Sequence, residues 1–261
     1  MSELLKRLFV PFRADTDPSE ATMISVGQDG EDWFVEVDGS RYGGPAIGGS
    51  ATPWGAMVDA RNALVQTFLS DRDDLVSLHA AVVVRDGKAL LLSGQPWAGK
   101  TTFSFRLLEQ GWKHFSDDVA PIDLKTGSVL AFPKPPAIRT RPWSDFRHLW
   151  DPPPKWLPEP TEYFVVPVTN LPLAEETTAA PSALVHLFYR EGATASASAI
   201  TPAAAIMHCA SGTRSATAQQ RLSPGQFARL VQVCKQVKSV ELEYADVEEG
   251  LALVQRHLAA P

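Results

Sequence analysis

One stretch of the sequence has the residue types and spacing needed to bind a polyphosphate. Residues 94–101, read as Gly-Gln-Pro-Trp-Ala-Gly-Lys-Thr, match the phosphate-loop pattern G-x-x-x-x-G-K-[ST]. In such a loop, successive backbone N–H groups and the positive end of a helix dipole bind the phosphates. We expect Lys100 to reach the outer phosphates and the Thr101 hydroxyl to ligate Mg²⁺. The predicted nucleotide contacts are Gly94, Gln95, Pro96, Trp97, Ala98, Gly99, Lys100, Thr101 and Thr102.

Two adjacent carboxylates follow the loop at a short distance along the chain. Asp117 and Asp118 come directly after Trp112–Ser116, which reads as a strand. Ligands of an open α/β sheet bind at the carboxyl ends of its strands, so both carboxylates are expected in the crevice of the phosphate loop. One carboxylate can hold Mg²⁺ and the other can accept the proton of an attacking hydroxyl. The alternative, an Asp pair that caps a turn, is less favoured beside a phosphate loop.

Other charged or titratable residues are candidates for the same site. His79 begins an apolar run, Leu78–Val84, where a histidine packed in the core is the competing interpretation. Lys134, Arg139 and Arg141 are cations that could contact phosphate in the transition state, and the competing interpretation is solvated surface charge. Arg214 is a weaker candidate, in a stretch (211–215) that we expect to be a flexible loop.

The elements around the loop fit this interpretation. The apolar run Ala89–Ser93 predicts a buried strand before the loop, and Thr101–Gln110 predicts a helix that Gly111 ends. Asp86-Gly87 predicts a tight turn that pairs Leu78–Val84 with Ala89–Ser93 as a hairpin. The loop is thus expected between a strand and a helix.

A small β unit and a helix are predicted before this core. Met23–Val26 and Trp33–Val37 alternate as strands do, and Asp38-Gly39 is typical of a hairpin turn. Pro53–Ser70 reads as a helix with Thr52 as its N-cap. We therefore expect an N-terminal region at 1–73 and a kinase core at 74–261.

The rest of the chain continues the α/β pattern. Phe227, Leu230, Val231 and Cys234 are expected to form one buried helix stripe. The proline-rich run Asp151–Pro160 is either a linker or an ordered loop beside the acceptor site. The predicted strands are Pro121–Leu124, Val129–Phe132, Ser182–Arg190 and Ser239–Tyr244, and the predicted helices are Pro202–Cys209, Pro224–Gln236 and Val247–Leu258.

Composition is typical of a globular enzyme. Of the 261 residues 44% are hydrophobic, enough for one sizeable domain and a small appendage, and the net charge of −6 gives no support to a nucleic-acid partner. The two cysteines, Cys209 and Cys234, suggest no disulfide framework and fit a reducing compartment. No apolar run is long enough to span a bilayer, so we expect a cytoplasmic protein without a membrane partner.

The segment from Leu78 to Val119 resembles the catalytic core of the HPr kinase/phosphorylase family. The likeness includes the Leu-His opening, the hairpin, the phosphate loop, its helix and the step into Asp-Asp. The whole chain is similar to the looser group of HPr-kinase-like serine kinases, some of which act on ribosomally made peptide precursors. That group is similar in fold to the nucleotide domain of phosphoenolpyruvate carboxykinase, so the resemblance implies an α/β P-loop core.

The resemblance also implies cofactors and roles. ATP (or GTP) and Mg²⁺ would be bound, with Lys100 and Thr101 on the phosphates and the metal. Asp117 and Asp118 would divide the base and metal duties, with Asp118 as a metal ligand beside Thr101, and His79 would lie beside the transferring phosphate. The better-known members of the family are hexamers, which makes a homo-oligomer an expectation here.

The chain departs from the family pattern in two places. The family usually has Ser and Gly where this chain has Pro96 and Trp97. Pro96 has no N–H to donate, and the Trp97 indole is expected to point outward or over the nucleotide. The long glycine-bearing signature that follows the Asp pair in true HPr kinase/phosphorylases is also missing. The resemblance therefore does not extend to the phosphorylase reaction or to HPr as substrate.

The function predicted from the sequence is an ATP- and magnesium-dependent kinase. Its acceptor is expected to be a hydroxyl, foremost a serine of a peptide or small protein. Two alternatives stay open: a kinase of a small hydroxylated metabolite, and a nucleotide-sensing regulator without catalysis. Phosphate loops bind phosphate and not the base, so the sequence does not separate ATP from GTP.

Overall fold

The structure is a computed structural model that describes residues 9, 22–42, 52–70, 72–139, 145–149, 163–211, 213–214 and 222–259. Its packing divides the chain into two units. The first comprises Met1–Ser70 and Lys134–Leu171, and the second comprises Asp71–Pro133 and Pro172–Pro261. Packing does not test independent folding, so the domain boundary at residue 74 stays a prediction.

The first unit contains a small antiparallel sheet and one long helix. In the sheet, β1 (Ile24–Asp29) pairs with β2 (Asp32–Val37), and β2 pairs with β3 (Ser40–Arg41). The turn at Asp38 and Gly39 has φ of 49° and 75°, the left-handed pair that a two-residue hairpin loop requires. Helix α1 (Pro53–Leu69) begins at the expected N-cap, where the Thr52 hydroxyl accepts from the Gly55 N–H at 3.0 Å.

The first unit also contains a second pair of strands. Strand β10 (Ala137–Arg139) pairs with β11 (Tyr163–Val165), and α1 packs on β11. Trp54 and Phe164 make an edge-to-face contact with ring centroids 5.7 Å apart. Single 3₁₀ turns cover Arg147–Leu149 and Val168–Asn170.

A ten-stranded sheet forms the centre of the second unit as far as it is described. Eight strands follow the order β14-β4-β8-β9-β12-β6-β5-β7, while β15 pairs with β12 and β13 pairs with β15. The strands are β4 (Leu75–Leu78), β5 (Ala80–Arg85), β6 (Lys88–Gly94), β7 (Lys113–Ser116), β8 (Ala120–Asp123), β9 (Val129–Leu130), β12 (Thr178–Tyr189), β13 (Ser196–Ala199), β14 (Thr213–Arg214) and β15 (Lys238–Tyr244). The mixed α/β class expected from the sequence is thereby confirmed.

Two pairs of helices pack on this sheet. Helix α2 (Lys100–Glu109) lies against β5, β6 and β7 and contacts α5 (Val247–Ala259), which packs on β13 and β15. Helices α3 (Pro202–Ser211) and α4 (Pro224–Gln236) contact each other and pack on β12. Apolar side chains from the central strands, such as Leu91, form the core together with Leu230 of α4.

Strand direction decides what meets at one edge of the sheet. Strands β6, β12 and β15 are parallel, and β5 is antiparallel to both β6 and β7. The carboxyl ends of β6, β7, β12 and β15 therefore share an edge with the amino end of β5. That edge collects Gly94 and Tyr244, the last residues of β6 and β15, together with Asp117, just after β7, and His79, just before β5.

Three expectations about local structure were wrong. His79 does not begin a strand that includes Leu78; it lies in the break between β4 and β5, which pair with different neighbours. Thr213 and Arg214 are not in a flexible loop, because they pair with Leu78 and Ser77 of β4. Phe227 is 47% exposed and does not share the buried stripe of Leu230 and Cys234.

Some expectations fall on residues that the structure does not describe. Asp151–Pro160 and Arg141 lie outside the described residues. Among the described helices, none is both long and apolar enough to cross a membrane. The cytoplasmic location stays a prediction.

Candidate functional site

The segment from Gly94 to Lys100 connects the end of β6 to the start of α2, as the sequence predicted. Two glycines in it leave no room for a side chain. A Cβ on Gly94 would lie 2.7 Å from the Leu187 carbonyl oxygen, and one on Gly99 would lie 2.3 Å from the Tyr244 hydroxyl. Gly99 also has φ of 82°, which glycine adopts without steric cost. The loop thus packs on the backbone of β12 at Gly94 and on the Tyr244 side chain, at the end of β15, at Gly99.

The middle of the segment is a tight turn. The Ala98 N–H donates to the Gln95 carbonyl at 3.1 Å, and Trp97 has φ of 76°. Because proline fixes a negative φ at Pro96, the positive φ at the next residue makes this a type II turn. Type II turns favour glycine at the position of Trp97, so this residue holds a strained conformation. Its indole is 72% exposed and is not buried inside the loop.

The Lys100 ammonium lies inside the curve of the same segment. The side chain is 7% exposed, and Nζ donates to the Gly94 carbonyl at 3.0 Å and to the Gln95 carbonyl at 3.3 Å. Gly99, at the N-cap, provides no side-chain acceptor for the first N–H groups of α2. Because those N–H groups lack intrahelical partners, they and the ammonium together favour an anion.

Thr101 and Asp117 are in direct contact. The Thr101 hydroxyl donates to Asp117 Oδ1 at 3.0 Å, and Asp117 is buried at the end of β7. Among the described residues, no cluster of three His, Cys, Asp or Glu side chains could hold a metal ion by itself. Mg²⁺ takes oxygen ligands, often only one or two carboxylates together with substrate phosphates and water. The hydroxyl and carboxylate here fit that requirement if a phosphate supplies further ligands.

Asp118 turns away from its neighbour and meets His79. Asp118 has φ of 67°, and its side chain is 36% exposed. His79 Nδ1 lies 3.2 Å from the Asp118 carbonyl oxygen and 3.4 Å from Oδ1. Since a carbonyl oxygen only accepts, Nδ1 carries the proton, and a neutral His79 has its lone pair on Nε2. The two adjacent carboxylates therefore have different partners.

None of the four cations predicted for the site is described with a side chain in the same unit as the loop. Lys134 and Arg139 belong to the first unit; Lys134 is buried, and Arg139 Nη2 donates to the Tyr163 hydroxyl at 3.1 Å. Arg141 is not described, and for Arg214 only the backbone is. The roles suggested for these four cations stay predictions, as do the catalytic roles of His79, Asp117, Asp118 and Lys100.

Sequence reasoning missed Tyr244, the last residue of β15. Its hydroxyl donates to the Ala98 carbonyl at 2.8 Å, and its ring meets Phe103 of α2 edge to face with centroids 5.8 Å apart. Burial, with a smaller contribution from Tyr189, raises the pKa of Tyr244, so the phenol keeps its proton. The only hint in the sequence is Gly99, whose missing side chain leaves space for this hydroxyl.

Sequence reasoning also missed a polar cluster that begins one residue before Gly94. His186 Nδ1 lies 2.8 Å from the Ser93 hydroxyl, and the His186 ring stacks on His208 with centroids 3.9 Å apart. His208 Nε2 in turn lies 3.3 Å from Glu241 Oε2. Burial, with smaller contributions from the charges of His208 and Lys100, lowers the pKa of His186 from its ordinary 6.5 to about 4.

Comparisons with known proteins give little beyond this geometry. No protein-family model matches the chain, and no curated protein matches it. A solved structure, the Hpr(Ser) kinase/phosphatase from Coxiella burnetii, is similar with a TM-score of 0.32 and 12% sequence identity. The match covers 69% of this chain and 95% of that one. The similarity is distant, and the proposal below rests on the residues of the loop and its neighbours.

Replacing Trp97 by Gly should stabilise the protein. Glycine adopts a positive φ without strain, which raises the free energy of unfolding. The greater freedom of glycine in the unfolded chain offsets part of this gain, so we expect a net increase of up to about 1 kcal/mol. The measurement is urea unfolding, with Trp97→Ala as the matched control, because alanine removes the indole but keeps the Cβ. Equal stability of the two variants would show that the backbone at this position is not strained.

His186 should make stability depend on pH. Its pKa in the folded protein is about 4 against the ordinary 6.5. Between these pH values the side chain is protonated in the unfolded chain and neutral in the folded protein. The free energy of unfolding should therefore fall as pH drops from 6.5 to 4, by up to about 3 kcal/mol from this group. Urea unfolding across this range should show a steeper loss for wild type than for His186→Gln; parallel curves would contradict the assignment.

Proposed function

We propose that this chain is a magnesium-dependent kinase that binds ATP at residues 94–101 and transfers its terminal phosphoryl group to a hydroxyl. A serine of a peptide or small protein is the acceptor we favour. The observation that carries the proposal is the contact of Thr101 with Asp117 at the end of a loop that has the phosphate-loop sequence. It puts a hydroxyl and a carboxylate beside the helix N-terminus where a metal-bound polyphosphate would lie.

Binding starts from the positive groups of the loop. The N–H groups at the start of α2 donate to the phosphate oxygens, while Lys100 exchanges its two carbonyl partners for phosphate oxygens. An ammonium binds an ionised phosphate more strongly than it binds a neutral carbonyl, which favours this exchange. Lys100 then offsets the negative charge that develops on the transferring group.

The two carboxylates take separate roles in this proposal. Asp117 and Thr101 are the residues that would hold Mg²⁺, directly or through water, because they contact each other beside the loop. The ion would supply positive charge that offsets the charge of the phosphates. This assignment gives the metal to Asp117, whereas the family resemblance suggests Asp118. Asp118 has the more exposed of the two carboxylates, so in this proposal it is the base.

The transfer step needs only one proton acceptor from the protein. Asp118 takes the proton of the acceptor hydroxyl as that oxygen bonds to the terminal phosphorus, and the bond to the bridging oxygen breaks to leave ADP. His79 donates from Nδ1 to the Asp118 carbonyl and holds the turn in which Asp118 has its positive φ. The contribution of His79 is thus to keep the base in place.

A second candidate, a nucleotide-binding regulator without transfer, is favoured by one feature of the loop. Pro96 has no N–H, and the Ala98 N–H already donates to Gln95. Two donors within the loop are therefore withheld from phosphate. Such a regulator would bind nucleotide through the helix end and Lys100 and leave ATP intact.

The test is phosphoryl transfer from radiolabelled MgATP by the purified chain. Serine-containing peptides, small hydroxylated metabolites and water alone serve as acceptors, and mass spectrometry locates the added phosphoryl group. Removing the base in Asp118→Asn should slow transfer by roughly 10²- to 10⁴-fold, while Asp73→Asn, an exposed aspartate outside the site, should leave it unchanged.

The outcomes separate the candidates. Transfer of the label to a peptide supports a peptide serine as the acceptor. Transfer to a metabolite alone would show that the acceptor is a small hydroxylated molecule. Binding of MgATP with no consumption in the presence of any acceptor would support the regulator. Undiminished transfer in Asp118→Asn would contradict the assignment of the base.

A further inference from the structure

Tyr244 makes contacts with the loop that are unusual for a residue at the end of a strand. Its hydroxyl donates to the carbonyl of Ala98, the residue just before the N-cap of α2. The same hydroxyl fills the place that a side chain on Gly99 would take. The ring packs edge to face on Phe103, one turn into α2, and on Tyr189 of the neighbouring strand β12. One buried side chain thus contacts the last part of the loop and the first turns of its helix.

The bond to Ala98 fixes the orientation of a whole peptide group. In a planar trans peptide the C=O and the following N–H point in opposite directions. With the Ala98 carbonyl directed at Tyr244, the Gly99 N–H points away from Tyr244 and from the packed side of the loop. If this peptide group flipped, a carbonyl oxygen would face the anion site in place of an N–H donor.

Preventing this flip requires a restraint from outside the loop, because Gly99 itself cannot prevent it. Glycine adopts positive and negative φ with similar ease, so the residue itself does not lock the peptide on either side of it. Gly99 also provides no side-chain contact that could act as a restraint. The hydroxyl of Tyr244 is buried and keeps its proton, so it can donate to Ala98 across the physiological pH range.

We infer that Tyr244 is a positioning residue of the phosphate site, which holds the Ala98–Gly99 peptide so that its N–H faces the bound polyphosphate. The inference rests on the proposed function and adds to it a residue that lies 146 positions from its hydrogen-bond partner in the sequence. It does not depend on the acceptor, because the restraint acts on the phosphates of the donor nucleotide. A tyrosine that only packed the core would serve stability and leave ligand binding unchanged.

The experiment measures the dissociation constants of MgATP and of magnesium tripolyphosphate by isothermal titration calorimetry. Tyr244→Phe keeps the ring and removes the hydroxyl, and it should weaken both ligands by about 3- to 10-fold, the effect of one lost hydrogen bond. Both ligands should respond alike because only phosphates are involved. Tyr189→Phe is the matched control, since Tyr189 contacts the same ring but does not bond the loop, and its affinities should stay within error of wild type.

A second substitution tests the contact itself. Gly99→Ala places a Cβ 2.3 Å from the Tyr244 hydroxyl but 3.5 Å from the ring carbon that carries it. In the Tyr244→Phe background the clash disappears. The further loss of affinity caused by Gly99→Ala should therefore be smaller there than in wild type, by a factor of about 3 or more. Circular dichroism at the titration temperature establishes that each variant is folded, and Tyr244→Phe alone decides the matter if Gly99→Ala does not fold.

The results separate two kinds of failure. If wild type binds neither MgATP nor tripolyphosphate, the proposed function fails and this inference fails with it. If wild type binds both while Tyr244→Phe binds them equally well, the phosphate site stands and the role of Tyr244 is overturned. An equal effect of Gly99→Ala in both backgrounds would overturn it in the same way.

Discussion

The close packing of the loop after strand β6 is the constraint on which the candidate site depends. At Gly94 the loop backbone lies directly against the backbone of β12, and at Gly99 it lies against the hydroxyl of Tyr244 at the end of β15. Only this contact lets the chain turn from the strand into α2 with the helix N-terminus unblocked and with the Lys100 ammonium inside the curve. A larger residue at Gly94 would have to move the loop away from β12, and one at Gly99 would have to displace the Tyr244 hydroxyl.

Sheet direction then adds the acidic groups to that site. Because β5 is antiparallel to both of its neighbours, the end of β7 and the start of β5 lie at the same edge as the loop. Asp117 and His79 arrive there from opposite chain directions, and a single left-handed residue, Asp118, sends the two carboxylates to different partners. The division between a buried carboxylate beside Thr101 and a more exposed one beside His79 is the physical basis on which the proposal separates metal binding from proton transfer.

The sequence predicts those parts of this arrangement that depend on neighbours along the chain. The turn at Asp86-Gly87, the strand before the loop, the helix after it and the cap at Thr52 are all encoded within a few residues, and the structure confirms each of them. The errors have a different origin. Leu78 and Ala80 look like one strand because both are apolar, but they pair with different partners, which places His79 in a break. The short strand at Thr213 exists only because β4 lies beside it.

Tyr244 and His186 show the same limit in the site itself. Tyr244 reaches the loop and His186 reaches Ser93, one residue before the loop, each from a strand more than ninety positions away. Neither stands in a recognisable motif. Their contacts follow from the register of three parallel strands, which pairs His186 with Ser93 and with Glu241. Local patterns do not contain that register.

The most direct measurement of the central claim is the response of backbone amides to nucleotide, followed by NMR on isotope-labelled protein. The account predicts that MgATP shifts the amide resonances of Gly99, Lys100 and Thr101, with the change spreading to Asp117, and that AMP, which lacks the outer phosphates, leaves them in place. Shifts by MgATP confined to other parts of the molecule, or no shifts at saturating concentration, would contradict it.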